Sequence, residues 1–176
     1  MPAGVQALLA PEDTVLAFKT MQPLGADVAG AAMVVRHDAF IAVTDNACEL
    51  WLLRASGPTY VISARNGDVV DCLYNEFAKG APALGLDHNL TLTPTTVSYM
   101  NELARGGATY VFAWDSYKRA WYIKHVDVSW VENGETGVNV YTSALDYPAT
   151  LPWLTLDTFT PKAIRDAVRS HRSLVR

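Results

Sequence analysis

The stretch from Trp121 to Val131 restricts the fold more than any other part of the chain. Successive side chains of a strand point to opposite faces, so Val126, Val128 and Trp130 share one side and His125, Asp127 and Ser129 the other. The turn dipeptide Asn133-Gly134 follows, and Gly137 to Ser143 returns as a second strand. A strand, a tight turn and a returning strand commit this region to antiparallel pairing. Ala108 to Trp114, which alternates small or β-branched residues with Tyr110, Phe112 and Trp114, reads as a further strand.

The N-terminal third is also mostly β. Residues 1 to 13 read as a loose arm with a short helical turn before Pro11. Strands are predicted at Thr14 to Lys19, Ala31 to Val35, Ala39 to Thr44, Glu49 to Arg54 and Thr59 to Ala64. Turn chemistry at Asp45-Asn46, Ser56-Gly57-Pro58 and Asn66-Gly67 separates or ends them. The period then changes. Cys72 to Lys79 reads as a helix closed by Gly80 and Pro82. Thr93-Pro94 supplies an N-cap and a first-turn proline for a helix over 94–105, with Val97, Met100, Leu103 and Ala104 at helical spacing before Gly106-Gly107. Thr160-Pro161 repeats the device and starts a final helix over 161–176, with Ile164, Ala167, Val168, His171 and Val175 as its apolar stripe. The expectation is one α+β domain spanning residues 1–176.

Composition narrows the function classes. At 176 residues and 50% hydrophobic, the chain fills one sizeable core without staples. A net charge of -4 and a pI near 5.5 give no global attraction for nucleic acid or an anionic membrane. No signal peptide and no apolar run long enough to span a bilayer are evident, so a soluble, cytoplasmic protein is expected. In that setting the two cysteines, Cys48 and Cys72, are expected as free thiols. The four histidines show no spacing that suggests zinc, and neither a metal nor a cofactor is expected.

Two residues carry the chemistry a hydrolase would need. Cys72 stands at the head of a predicted helix, an environment that lowers a thiol pKa, and His125 in the hairpin is a candidate base. The plainer reading makes Cys72 a small buried hydrophobe and His125 a hydrogen-bonded residue half-buried on a sheet. Cys48 keeps the plain reading.

From Glu49 to Phe159 the order strand, strand, turn, Cys-helix, second helix, strand, His-strand, strand resembles the papain-like cysteine peptidases. It is most similar to compact members such as picornaviral leader proteases and bacteriocin-processing peptidases. The resemblance is one of element order: the Cys-Gly-Ser-Cys-Trp run, a Gln before the Cys and a Trp after the Asn are all missing. It implies an antiparallel sheet packed on a Cys-bearing helix and a second helix, with a C-terminal helix, acting on a peptide or isopeptide bond of a peptide or protein substrate. Cys72 would be the nucleophile, His125 the base and Asn139 the residue that orients the imidazole, with Asp146 a second candidate for that task. Asn66 would contribute its amide to the oxyanion hole.

A different class competes with this one. Thr109 to Val131, Gly137 to Ser143, Trp153 to Leu156 and the closing helix also resemble the last strands and C-terminal helix of a pleckstrin-homology-like barrel. Such a module binds a peptide or lipid head group, or assembles, and needs no cysteine. The helix over 94–105 decides between them, because it belongs to the peptidase order and has no place in the barrel. Lys162, Arg165, Arg169, Arg172 and Arg176 fall in a narrow arc of the last helix, read as a solvated cationic face near a helix C-terminus. Trp114, Trp121, Trp130 and Trp153 read first as core.

Overall fold

The computed structural model describes residues 1–20, 29–37, 47–72, 86–103, 105–134 and 137–175. The strand expected at Ala39 to Thr44 and the body of the Cys72 to Lys79 helix lie outside them. Ten strands among the described residues form two antiparallel sheets. The first is a meander of β1 (Asp13–Thr20), β2 (Ala31–His37), β3 (Cys48–Ser56) and β4 (Thr59–Asn66). The second contains β5 (Leu90–Leu92), β6 (Thr96–Leu103), β7 (Gly106–Asp115), β8 (Ala120–Gly134) and β9 (Gly137–Asp146), with β10 (Ser173–Val175) at its edge beside β9. The helical elements described in full are α1 (Ala3–Gln6), a 3-10 turn at Leu156–Thr158, and a 3-10 turn at Pro161–Ile164 running into α2 (Arg165–Ser170). None of these is long and apolar enough to cross a membrane.

The period of two decides where the core sits. Ala32 and Val34 of β2 and Leu50 and Leu52 of β3 join Val97, Tyr99, Phe112, Ile123 and Val126 of the second sheet in one apolar cluster. The alternate residues Ala31, Met33, Val35, Trp51 and Leu53 turn the other way and pack with Val5, Leu8 and Leu9 of the N-terminal arm. Strands β2 and β3 are thus buried on both faces, which is why they read as continuous apolar runs rather than alternating ones.

The expected α+β fold is overturned: the chain is mostly β. The helix predicted over 94–105 is strand β6, paired with β5 on one side and β7 on the other. Val97, Tyr99 and Asn101 point inward, whereas Met100 and Leu103, two members of the supposed helical stripe, are 36% and 41% exposed. Thr93 caps no helix. Its amide N–H donates to the Thr96 carbonyl at 2.9 Å and its hydroxyl accepts from the Thr96 N–H at 3.0 Å, closing the β5–β6 turn. The same side chain that caps a helix closes a turn when the following residues alternate at period two.

The second Thr-Pro pair does start a helix. Thr160 Oγ1 accepts from the Ala163 N–H at 3.2 Å, with Pro161 in the first turn. That helix stops at Ser170 instead of continuing to residue 176, because Ser173–Val175 pairs with β9, Leu174 opposite Tyr141.

Candidate functional site

Cys72 is not a thiol in this structure: it is disulfide-bonded to Cys48, with the two Cα atoms 6.1 Å apart, and no free cysteine remains. The separation is normal for a disulfide. Cys48 opens β3 facing the core, and Cys72 ends the segment that returns from β4; both side chains are buried in the main cluster. The expectation of two free thiols is thereby corrected.

Two buried asparagines hold that returning segment. Asn66 donates through Nδ2 to the carbonyls of Leu156 and Phe159, at 2.5 and 2.8 Å, and accepts through Oδ1 from the amides of Asp68 and Val69. Its hydrogen-bonding capacity is spent on backbone, so it has no donor to offer an oxyanion. Asn101 on β6 donates to the Val69 carbonyl at 2.6 Å and accepts from the Asp71 N–H at 2.9 Å. The pair ties the segment before Cys72 to both the second sheet and the loop that leads to α2.

His125 sits between two carboxylates. Nδ1 is 2.8 Å from Asp146 Oδ1, directly across the β8–β9 ladder, and Nε2 is 2.9 Å from Asp127 Oδ2, two residues along on the same face. Burial alone would lower the imidazole pKa, but the hydrogen bonds to Asp146 and Asp127 and their charges outweigh it and raise it. With both ring nitrogens taken by carboxylates, the imidazole has no free nitrogen with which to accept a proton from a nucleophile. Asn139 lies at the far end of the same ladder, opposite Glu132, with its amide over Gly134. Asp146, the second candidate, is therefore the residue that orients His125. His37 repeats the arrangement on the first sheet, with Nδ1 at 2.7 Å from Asp13 and Nε2 at 3.4 Å from Glu49. Among the described residues no group of three or more His, Cys, Asp or Glu is placed to hold a metal ion.

A cavity lies elsewhere, between the helical segment Pro161–Ser170 and the β6–β8 region of the second sheet. It is a groove of about 720 Å³. Ala108, Tyr110, Val128, Trp130, Ile164 and Val168 supply apolar lining, while Arg165, Arg169, Arg172 and Glu132 supply the charges. Ala108, with only a methyl group, leaves room on the floor between Tyr110 and the helical segment. Edge-to-face contacts of Phe159 with Tyr110 and Phe112, ring centres 5.0 and 5.5 Å apart, anchor the start of the helical segment. Trp130 stacks on Tyr141 and donates its indole N–H to Glu132 at 2.9 Å, and the Arg172 guanidinium lies 5.1 Å over the Tyr141 ring. Burial, aided by Asp71, pushes the Tyr110 phenol up to about 12, so the floor is uncharged at neutral pH.

Arg165, Arg169 and Arg172, read from sequence as a solvated face, thus border an apolar groove. The signal was present, since Ile164 and Val168 lie on the same helix, but only the tertiary structure brings Tyr110 and Trp130 opposite them. The chain matches no protein-family model, no curated protein and no solved structure.

Proposed function

We propose that this chain is a non-catalytic binding module whose groove holds an extended, acidic peptide segment of a partner protein. The observation that carries this reading is the pairing of an apolar floor with a rim of three arginines against one glutamate. The volume falls in the range of ligand sites, which are mostly apolar with a few polar groups that fix orientation. The helical segment Pro161–Ser170 is about 17 Å long, which matches about five residues of extended chain. Guanidinium groups favour carboxylates by planar two-point contacts, and the Glu132 carboxylate already has the Trp130 N–H as a partner.

Two further points favour binding over hydrolysis. The helix over 94–105 that separated the two classes is a strand, and Cys72, Asn66 and His125 each have their reacting groups engaged. The Cys48–Cys72 bond favours a protein that works in an oxidising setting.

The test is selection from a random peptide library, followed by titration read through Trp130 fluorescence. Enriched peptides should combine Asp or Glu with an aromatic or branched residue and bind with Kd near ~10 μM. Arg165→Glu/Arg169→Glu should weaken binding at least about tenfold, and added salt should weaken the wild type. Selection of uncharged peptides indifferent to the reversal would overturn the reading. So would self-association of the wild type that the reversal abolishes, which would make a second copy the occupant.

A further inference from the structure

Two of the groove's arginines stand at a fixed interval. Arg165 and Arg169 both line the groove, both lie on α2, and neither makes an ion pair or a side-chain hydrogen bond among the described residues. Four residues of α-helix rise about 6 Å, so the two positions are separated by about that distance along the groove. Arg172 does not belong to this pair. It follows the helix, and its guanidinium lies over the Tyr141 ring.

An extended chain matches that separation at one interval only. Its side chains alternate between two faces, and those on one face recur about every 6.7 Å. Neighbouring residues are about 3.4 Å apart and point opposite ways, while residues four apart on the same face are about 13 Å apart. Carboxylates two residues apart can therefore meet Arg165 and Arg169 together, one to each. The remaining mismatch, below ~1 Å, is absorbed by the flexible arginine side chains. The residue between the two acids turns to the opposite wall. That wall is the sheet, where Tyr110, Val128 and Trp130 supply an apolar surface. Glu132 lines the same side, and its carboxylate repels an acid placed there.

We propose that the groove selects a segment in which two acidic residues flank one large apolar residue, with Arg165 and Arg169 each holding one carboxylate and Glu132 excluding an acid from the middle position. This selection rests on the groove's role as a peptide site and adds to it the order of the residues. A plain acidic run carries at least as much charge, yet it sets a carboxylate against Glu132 and leaves the apolar wall uncovered. Discrimination then comes from spacing and repulsion as well as from attraction.

The test compares, by fluorescence anisotropy, labelled peptides of identical composition and charge that differ only in order: Glu-Phe-Glu, Glu-Glu-Phe, and a peptide with its glutamates four residues apart. The alternating peptide should bind at least about tenfold tighter than either of the others. Arg165→Gln and Arg169→Gln should each make one of its glutamates dispensable, a different one in each variant. Replacing that glutamate by Gln should weaken wild-type binding at least about tenfold and binding to the variant less than about twofold. Both arginines are exposed on α2, so both variants should melt like the wild type. Equal affinity for the three orders overturns the proposal and leaves the peptide site standing. Preference for glutamates four apart, the spacing a helical ligand would present, does the same. If none of the three binds while a random library still yields binders, the order is wrong; if the library yields none, the peptide site fails and this selection fails with it.

Discussion

His125 and Asp146 stand directly opposite one another on β8 and β9, with the imidazole Nδ1 2.8 Å from the carboxylate. Asp127 closes on Nε2 from the same strand. The three make a cross-strand clamp rather than a relay, and its energy depends on the charge of the ring. The folded-state pKa is raised above 6.5, so the stabilisation is fully present below the unfolded value and is lost as pH rises through the folded one. Both carboxylates are more than half exposed, so screening holds the clamp to under about 1 kcal/mol. Titrating the His125 ring by NMR should give a pKa above 6.5 that falls in Asp146→Asn. A value at or below 6.5 in the wild type would remove the clamp.

The disulfide leads to a different expectation for the cysteines. The intact protein should be lighter than its reduced form by two hydrogens, and neither Cys48 nor Cys72 should alkylate until a reductant is added. A bridge over a sequence separation of 24 contributes about 3 kcal/mol through the unfolded chain. Cys48→Ala and Cys72→Ala should therefore destabilise alike. A hydrolase built on Cys72 would separate them, losing turnover with Cys72 alone. Urea denaturation of the two variants under non-reducing conditions decides this.

Asn66 gives the largest expected effect of a single polar side chain. Asn66→Ala leaves the Leu156 and Phe159 carbonyls and the Asp68 and Val69 amides without their partner, at a cost of about 3 kcal/mol. Asn66→Asp keeps the size but sets a carboxylate against two carbonyl oxygens, so it should not rescue. Chemical denaturation at unchanged slope measures both. A loss below about 0.5 kcal/mol in the alanine variant would mean that the loop reorganises freely.

The hairpins were legible in the sequence because alternation and turn dipeptides are local. Val126 and Val128 announce β8, and Asn133-Gly134 its return. The region around Val97 was misread because one set of residues satisfies two periods: Val97 and Met100 are three apart as on a helix, while Val97, Tyr99 and Asn101 alternate as on a strand. Only the partners β5 and β7 break the tie, and pairing is not local. The disulfide was hidden for the same reason, since β3 and the segment after β4 must both be placed before Cys48 meets Cys72. Asp127 was legible beside His125 on one strand face. The groove was legible by half, as a cationic arc without the aromatic floor that faces it.

Two glycines with left-handed φ separate steric need from conformational need. Gly106 has φ +149°, and a β-carbon there would fall on the Ser129 carbonyl oxygen of the neighbouring strand. Gly137 has φ +153°, and a β-carbon there would meet nothing within 4 Å. Gly137→Ala therefore carries only the backbone penalty, about 1–2 kcal/mol. Gly106→Ala adds a clash with backbone, which cannot rotate away as a side chain would, and must push β7 and β8 apart where they flank the groove. It should cost about 2 kcal/mol more than Gly137→Ala. The two melting temperatures, taken at the same pH, test this, and equal losses would mean that β8 shifts at Gly106 without resistance.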